Sequence, residues 1–448
     1  MADPRCEALE ATQRLTLSPS QMAAFECALA GKSLFLTGCA GSGKSFLLSK
    51  IIEALCEKCG KERVFTTAAT GIAACAIGGT TLHWFFGVGL ANEEIGDLIK
   101  ILNRPYKREA RDRIKSAAVL ILDECSMINA ELFDKFDEIA KQLRGNLLQF
   151  GGIQLICSGD FYQLPPISRD SGASQFIFES ARWLALMENR FFILREIFRQ
   201  REPDLVEFLA EIRRGRITPK GNAFLISRRR STSCAGAEIA NKVCLFSRRD
   251  KAESMNIKEL SALPAESEKV FDAADSARGN NSHLLEQLIA PVKLVLRIGA
   301  RVILLINKDQ CCGLVNGATG VVTGYTQDGY PIVKYEVTRF VDGKKVIAEI
   351  DDVAEPNTWR IKQAGKIIAQ RTQIPLLLAW AITIHKSQGM SIPNICVCAS
   401  GIFEKGQFYV ALSRAVTTDG LIIIGNLPDA RLLRPDMRAA RFLEKIAK

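Results

Sequence analysis

The sequence predicts an α/β protein whose core strands form parallel sheets. Residues 33–48, SLFLTGCAGSGKSFLL, read as an apolar strand followed by a glycine-rich turn and a helix. Two later apolar runs, at residues 117–122 and 155–158, end directly in polar residues, as buried parallel strands do where they deliver side chains to a site. At 448 residues the chain is too long for one core, so two to four domains are expected.

The charge and hydropathy of the chain indicate which kinds of protein it can be. The formal net charge of +10 favours a polyanionic partner such as nucleic acid. The longest candidate apolar run, residues 374–382, is far too short to cross a membrane, so a soluble protein is expected. Asp3, Glu7 and Glu10 interrupt the few basic residues near the N-terminus, which argues against a secretory signal and a transit peptide.

The 14 cysteines are scattered along the chain. Cys157, Cys396 and Cys398 lie inside apolar, strand-like runs, which favours reduced thiols in an intracellular protein over disulfides. Cys56 and Cys59 form a C-x-x-C pair, but no second pair follows with zinc-finger spacing. No structural metal site is therefore expected at that pair.

The glycine-rich turn predicts a nucleotide site. Eight consecutive residues match the pattern G-x-x-x-x-G-K-[ST], namely Gly38, Cys39, Ala40, Gly41, Ser42, Gly43, Lys44 and Ser45. In such a turn backbone N–H groups close around phosphate oxygens, the lysine bridges the β- and γ-phosphates, and the hydroxyl binds Mg²⁺. The preceding helix, at residues 15–30, begins with a Ser-Pro cap and carries Gln21, whose amide offers a donor and an acceptor to an adenine edge.

Hydroxyl-rich segments follow the next strand. Thr67 and Thr70 lie around its end, and Thr80, Thr81 and His83 follow after a Gly-Gly turn; these groups suit contacts to a nucleic-acid backbone. For His83 the alternative is a packed or helix-capping histidine.

Residues 104–115 carry six basic side chains, which fit either a solvated helix face or a nucleic-acid-facing element.

The second half of the ATP site is predicted after the apolar run at residues 117–122. Asp123 would hold Mg²⁺ together with Ser45, and Glu124 would polarise the attacking water. After the strand at residues 155–158 comes a polar tip stiffened by Pro165 and Pro166, where Gln163 is our candidate for sensing the γ-phosphate.

Eight segments together resemble one known family. They are GSGKS, TTAATGIAACAIGGTTLHWF, LILDECSM, GGIQLICSGDFYQLPPI, LREIFRQ, GLVNGATGVVTGY, IPLLLAWAITIHKSQGM and FYVALSRA. In this order they resemble the helicase core of the Pif family, superfamily 1 5′-to-3′ DNA helicases related to RecD-type enzymes, over about residues 21–425. The chain departs from the family pattern at Cys125, Ile128 and Asn129, and again at residues 391–393, whose turn is given no role.

The resemblance implies roles for residues that chemistry alone leaves open. Arg199 and Arg414 would reach the γ-phosphate from a second domain as arginine fingers. Gln388 and Gly389 would lie near the nucleotide and the domain interface. Thr383, His385 and Lys386 would lie near the DNA backbone. Trp84 with Phe85 or Phe86 are candidates for base stacking, with apolar packing as the alternative.

The predicted architecture is two RecA-like P-loop domains in tandem with small inserted subdomains. Residues 1–190 form the first domain, with an insertion at about 88–115. Residues 191–300 and 372–448 form the second, and residues 301–371 an inserted small β-barrel. Residues 228–288 are expected to be surface loops around one strand at 243–246, and residues 376–384 one buried strand.

The expected function is an ATP-dependent, Mg²⁺-requiring DNA helicase that moves 5′-to-3′ on single-stranded DNA. Its substrates would be duplex DNA, forked or structured DNA such as G-quadruplexes, and RNA–DNA hybrids. It would act in genome or telomere maintenance. The resemblance further implies a nuclear or mitochondrial protein that is a monomer without DNA. Two alternatives are a DNA-stimulated ATPase switch that does not unwind and a helicase subunit of a recombination complex.

Overall fold

The computed structural model describes residues 17–89, 91–166, 174–231, 236–239, 241–279, 281–309, 312–341, 344–363 and 366–447. The helices are α1 (Pro19–Leu29), α2 (Lys44–Cys59), α3 (Gly71–Ala76), α4 (Leu82–Phe86), α5 (Ile95–Leu102), α6 (Arg108–Ser116), α7 (Ala130–Arg144), α8 (Ala181–Met187), α9 (Pro203–Arg214), α10 (Pro219–Arg228), α11 (Gly236–Ile239), α12 (Arg249–Ser261), α13 (Gln407–Leu412), α14 (Ala430–Leu433) and α15 (Met437–Ile446). Within these residues no helix has the length and apolar character needed to cross a bilayer.

The first parallel sheet carries the glycine-rich turn. Its strands are β1 (Leu34–Gly38), β2 (Val64–Ala68), β3 (Thr80–Thr81), β4 (Val119–Asp123), β5 (Gln154–Ser158) and β6 (Phe191–Leu194). They pair in the order β3-β2-β4-β5-β1-β6, and every pair is parallel. The glycine-rich turn and Asp123 therefore lie at the same edge, because parallel strands end together.

Both faces of this sheet are covered, which explains its continuous apolar strands. On β4, Leu120 and Leu122 join one buried cluster, whereas Val119 and Ile121 join another on the opposite face. Helix α2 packs in the second cluster through Leu47, Leu48 and Ile51.

A second parallel sheet follows later in the chain. Its strands are β7 (Arg229–Arg230), β8 (Val243–Phe246), β19 (Ala381–Thr383), β20 (Ile395–Cys398) and β21 (Leu421–Ile424), in the order β19-β8-β20-β21-β7. All of its pairs are parallel. Two α/β units with parallel sheets confirm the predicted fold class.

Antiparallel strands fill the chain between β8 and β19. They are β9 (Lys269–Asp272), β10 (Ala274–Ala277), β11 (Lys293–Leu296), β12 (Arg301–Leu304), β13 (Thr319–Tyr325), β14 (Pro331–Val341), β15 (Lys344–Val353), β16 (Asn357–Gln363), β17 (Lys366–Gln373) and β18 (Leu376–Leu378). They form sheets in the orders β15-β14-β13-β12-β18, β10-β17-β16 and β11-β9. The β-rich insertion is present, but its closure into a barrel is not confirmed, and the predicted domain boundaries stay predictions.

The single strand expected over residues 376–384 is wrong. Strand β18 pairs antiparallel with β12, whereas β19 pairs parallel with β8. Both strands consist mainly of apolar residues, of which Leu376, Ala381 and Ile382 are buried, so hydropathy is continuous across two strands that belong to different sheets.

The loops expected over residues 228–288 also differ from the structure. Helix α12 spans 13 residues there, and β9 and β10 follow it. Only Ala252 is buried on α12, so its sequence lacks the apolar stripe by which an amphipathic helix is recognised.

Helix α15, near the C-terminus, packs on the first sheet and not on the second. Ala439, Ala440 and Leu443 join the buried cluster of the first unit. The Phe442 ring stacks on Phe178 with centroids 4.4 Å apart. Helix α15 is therefore part of the hydrophobic core of the first parallel-sheet unit.

Candidate functional site

The glycine-rich turn joins β1 to α2 with the geometry that its sequence predicts. Gly41 and Gly43 both have a left-handed backbone, with φ of 83° and 81°. A Cβ added at Gly41 would lie 2.6 Å from the Cβ of Arg199, and one at Gly43 would lie 2.9 Å from Nε2 of Gln21. Glycine is therefore favoured at both positions by the left-handed backbone, and at Gly41 also by the lack of space for a side chain.

The polar groups of the turn fit a phosphate ligand. The Lys44 ammonium donates to the carbonyl oxygens of Gly38 and Cys39, at 2.8 and 3.0 Å, and burial lowers its pKa. The Ser42 hydroxyl is buried and has no hydrogen-bond partner among the described residues. Ser45 is exposed in the first turn of α2. A phosphate would supply the missing partners, and the residues present fit a nucleotide with Mg²⁺.

Asp123 and Glu124 follow β4 at the same sheet edge. Asp123 is buried, and its Oδ1 accepts the Glu124 N–H at 2.9 Å. Glu124 has a left-handed backbone, with φ of 50°, which is uncommon for a non-glycine residue. Removal from water, and next the charge of Asp123, raise the pKa of Glu124 to about 7. A carboxyl with that pKa can accept a proton from water near neutral pH.

Gln163 lies at the junction of the two parallel-sheet units. Its Nε2 is 3.5 Å from Oδ2 of Asp160, and its carbonyl oxygen lies against Gly406, just before α13. Asp160 is fully buried and holds a bidentate pair with Arg213 of α9, at 2.8 and 3.1 Å. Burial alone would raise the pKa of Asp160, but the Arg213 guanidinium lowers it below its ordinary value.

The two predicted arginine fingers lie together. Arg199 donates to the Ser391 hydroxyl at 2.8 Å and to the carbonyl oxygen of Ser413 at 3.1 Å. Arg414 is 2% exposed, and its Nε donates to the carbonyl oxygen of Val410 at 3.0 Å. Burial lowers the pKa of Arg199 to about 10 and, with the neighbouring Arg199 charge, that of Arg414 to about 9.

Gln388 and Gly389 connect these arginines to the acidic pair. The Gln388 side chain hydrogen-bonds to Glu124, which favours the ionised carboxylate. The carbonyl oxygen of Gly389 accepts from Arg199 at 3.3 Å. Residues from both parallel-sheet units therefore converge beside the glycine-rich turn.

Gln21 forms a capping box with Ser18 at the start of α1. Its Oε1 accepts the Ser18 N–H at 3.0 Å, and the Ser18 hydroxyl accepts the Gln21 N–H at 3.4 Å. The amide is 3% exposed, and its Nε2 faces Gly43 of the glycine-rich turn. Its acceptor is thus used within the helix, while its donor faces the turn.

The predicted DNA contacts of the first unit divide into buried and half-buried groups. Thr67 is fully buried and donates to the carbonyl oxygen of Ile121 at 2.6 Å, so its hydroxyl cannot reach DNA in this conformation. Thr80 is also buried. Thr70 and His83 are half-buried: the Thr70 hydroxyl accepts the Ala73 N–H, and the His83 ring packs edge-on against Phe136.

The candidate stacking residues are mostly unavailable. Phe85 and Phe86 are fully buried in the first core. Trp84 is half-buried, and the guanidinium of Arg113 lies 3.8 Å from its ring centroid. Arg113, from the basic segment at residues 104–115, is buried as well and donates to two backbone carbonyls. Arg113 therefore has a packing role, which the basic composition of residues 104–115 did not indicate.

The second-unit candidates surround one turn after β19. Thr383 is buried, and its hydroxyl accepts the Lys386 N–H at 3.2 Å. His385 and Lys386 are half-buried, and partial burial lowers the pKa of both.

Sequence reasoning missed two residues of the site. The hydroxyl of Tyr409 on α13 accepts the N–H of Ala40 in the glycine-rich turn at 3.0 Å. Arg213 joins α9 to Asp160, as described above. Both contacts link segments far apart in the chain, and no local pattern marks either partner.

Known proteins resemble the chain in both sequence and fold. The family model for PIF1-like helicase matches residues 16–220, and the one for the DNA helicase Pif1 2B domain matches residues 281–325. The ATP-dependent DNA helicase PIF1 of Xenopus laevis is 36% identical over 98% of this chain. The chain spans 66% of that protein, and less than two thirds of each of the first curated relatives that it matches.

Solved structures agree with this relationship. The crystal structure of Pif1 helicase from Candida albicans is 35% identical, with a TM-score of 0.71, and the match covers 96% of this chain and 100% of that one. A Bacteroides Pif1 helicase in complex with ADP-AlF3 and ssDNA is 26% identical, with a TM-score of 0.61, over 97% and 98% of the two chains. The chain belongs to the PIF1-like helicase family.

Proposed function

We propose that this chain is an ATP-dependent DNA helicase that moves 5′-to-3′ along single-stranded DNA and unwinds duplex ahead of it. The observation that carries the proposal is the split site. The glycine-rich turn and the acidic pair come from the first unit. Gln388, which hydrogen-bonds to Glu124, and Arg414, whose charge acts on Glu124, come from the second. A site divided in this way is complete only when its two halves meet, so hydrolysis is linked to domain movement.

The roles of the residues follow from their chemistry. Lys44 and the turn's N–H groups bind the phosphates, and the Gln21 amide donor recognises the base. Glu124 takes the proton from the attacking water, and Gln163 senses the γ-phosphate. Arg199 and Arg414, flanked by Gln388 and Gly389, stabilise the charge that develops there. Ser45 and Asp123 would hold Mg²⁺, which when bound neutralises phosphate charge.

The DNA path proposed here differs from the sequence expectation. Thr70, His83, His385 and Lys386 are partly accessible and are assigned to contacts with the DNA backbone. Thr67, Thr80 and Thr383 are buried and are assigned to shaping the loops that carry those contacts. The DNA-bound Bacteroides relative supports single-stranded DNA as the ligand.

Three further expectations rest on the family alone. They are activity on forked, G-quadruplex or RNA–DNA hybrid substrates in genome or telomere maintenance, a monomeric state without DNA, and a nuclear or mitochondrial location.

A strand-displacement assay tests the proposal. Duplexes with a 5′ tail, a 3′ tail or no tail are mixed with ATP and Mg²⁺, and only the 5′-tailed duplex is expected to unwind. Lys44→Ala and Glu124→Gln should abolish DNA-stimulated ATP turnover as well as unwinding. Leu147→Ala serves as the control, because Leu147 is exposed in the loop before β5 and so lies at the sheet edge opposite the glycine-rich turn. Turnover without unwinding would instead support an ATPase switch, and unwinding from the 3′ tail would overturn the polarity.

A further inference from the structure

Three buried cysteines meet in the second parallel sheet, outside the nucleotide site. Cys244 lies on β8, and Cys396 and Cys398 lie on β20. Cys244 and Cys396 are direct partners on these neighbouring parallel strands, and Cys398 lies two residues further on the same face. The three residues are 2%, 0% and 6% exposed, and their sulfur atoms lie within 4.8 Å of one another.

This triangle has nearly the size that a metal ion needs. With metal–sulfur bonds of about 2.3 Å, three sulfurs around one ion stand about 4 Å apart. At most a small contraction is therefore required. A structural zinc ion takes four ligands, and within the described residues no further histidine, cysteine, aspartate or glutamate joins the group. Three thiolates without a fourth strong ligand suit a soft, monovalent ion.

The surroundings of the three cysteines include a further sulfur atom and two basic side chains, which an ordinary apolar core would not supply. Helix α12 covers this face with the small residue Ala252, and Met255, a further soft donor, lies in the same cluster. The positive charge of Arg301 acts on Cys244, and that of Lys251 acts on Cys398. Hydrogen bonds among the three thiols lower the pKa of Cys244 and raise the pKa values of Cys396 and Cys398, so before a metal binds only Cys244 is favoured as a thiolate.

We propose that Cys244, Cys396 and Cys398 form a three-coordinate thiolate site for Cu(I). On binding, three S–H bonds lose their protons to solvent and three Cu–S bonds form, with no change of oxidation state. The resulting charge of minus two is offset by Arg301 and Lys251. The competing explanation is that the three side chains are only small apolar fillers of the core, as buried free cysteines commonly are.

Copper titration of the full-length, reduced protein under anaerobic conditions tests the site. Cys56→Ser/Cys59→Ser is the reference background, because it removes the C-x-x-C pair on α2 that would compete for copper. Cu(I) is added against a coloured Cu(I) chelator, and the thiolate-to-copper absorption band is followed. One tight equivalent is expected. Cys396→Ser should weaken it by about 100-fold or more, since even changes around metal ligands weaken binding by about 10- to 100-fold.

Cys157→Ser is the matched control, because Cys157 is also a buried strand cysteine but lies in the first sheet. Its copper affinity should equal that of the reference. Unchanged binding in Cys396→Ser would overturn the proposal. If Cys396→Ser does not fold, X-ray absorption at the copper edge of the reference protein decides: three sulfur ligands support the site, and fewer sulfurs, or nitrogen and oxygen ligands, refute it.

Discussion

Gln21 serves both a helix and the nucleotide site, and the two roles can be separated by mutation. Gln21→Glu keeps the side-chain acceptor of the capping box but removes the amide donor that faces Gly43. We expect the capping box to persist and the preference for ATP over GTP to fall by about 3- to 10-fold, the worth of one hydrogen bond. The ratio of kcat/KM for ATP to that for GTP measures this preference. The carboxylate added by Gln21→Glu repels the phosphates of both nucleotides equally, so its effect drops out of the ratio.

Gln21→Ala is the control for that experiment. It removes acceptor and donor together, so the preference should fall and the melting temperature should drop as well. An undiminished preference for ATP in Gln21→Glu would show that the amide has only a capping role.

The raised pKa of Glu124 predicts that both stability and ATP turnover change with pH near neutrality. Its pKa in the folded protein is about 7, above the ordinary value of 4.5, so the folded state holds the proton more tightly than the unfolded chain does. The stability that this group contributes therefore falls as the pH rises between these two values. Because a general base must be ionised, kcat/KM for ATP should rise with pH through a midpoint near pH 7. Steady-state turnover between pH 5.5 and pH 8.5, a range of about three units around that midpoint, measures the profile.

His385→Asn is the control for the Glu124 profile, since an imidazole also titrates in this region and partial burial lowers its pKa. The midpoint should stay in place in that variant. A flat profile, or one that moves with His385→Asn, contradicts the assignment.

At the scale of elements, the junction between β5 and α9 depends on one buried ion pair. Asp160→Asn would leave the Arg213 guanidinium, whose side chain is only 17% exposed, without its carboxylate. Breaking such a pair costs about 3–5 kcal/mol, so the denaturant midpoint should fall clearly. Replacing both partners, as in Asp160→Asn/Arg213→Met, should restore most of the loss, because no unpaired charge remains. A double variant less stable than Asp160→Asn would argue against charge as the cause.

At the scale of the whole molecule, α15 ties the end of the chain to the first domain. Phe442 stacks on Phe178 and also contacts Phe161 and Trp183, so Phe442→Ala removes a shared ring from this cluster. We expect a loss of about 2–3 kcal/mol for a half-buried aromatic residue. Denaturant unfolding followed by tryptophan fluorescence measures it. Arg441→Ala, an exposed neighbour on the same helix, should change the midpoint little; equal losses in both variants would contradict the packing argument.

Local sequence patterns were sufficient to predict the part of the nucleotide site that comes from the first parallel sheet. The glycine-rich turn, Asp123 and Glu124 each follow an apolar strand directly, and parallel strands end at one edge, so their meeting could be predicted from spacing alone. The family resemblance extended the prediction to Arg199, Arg414 and Gln388, which do lie beside one another. The β-rich insertion was also visible, because short strands separated by glycine turns have a clear pattern.

Only the tertiary structure shows which polar side chains hydrogen-bond within the protein and which aromatic side chains pack in its core. Thr67 donates within its sheet, Phe85 and Phe86 fill the first core, and the residues at 376–384 divide between two sheets. Tyr409 meets Ala40 across 369 residues of chain. Periodicity reports the environment of a residue along its own element, whereas a hydrogen-bond partner or a neighbouring strand from a distant segment is fixed only when the chain packs in three dimensions.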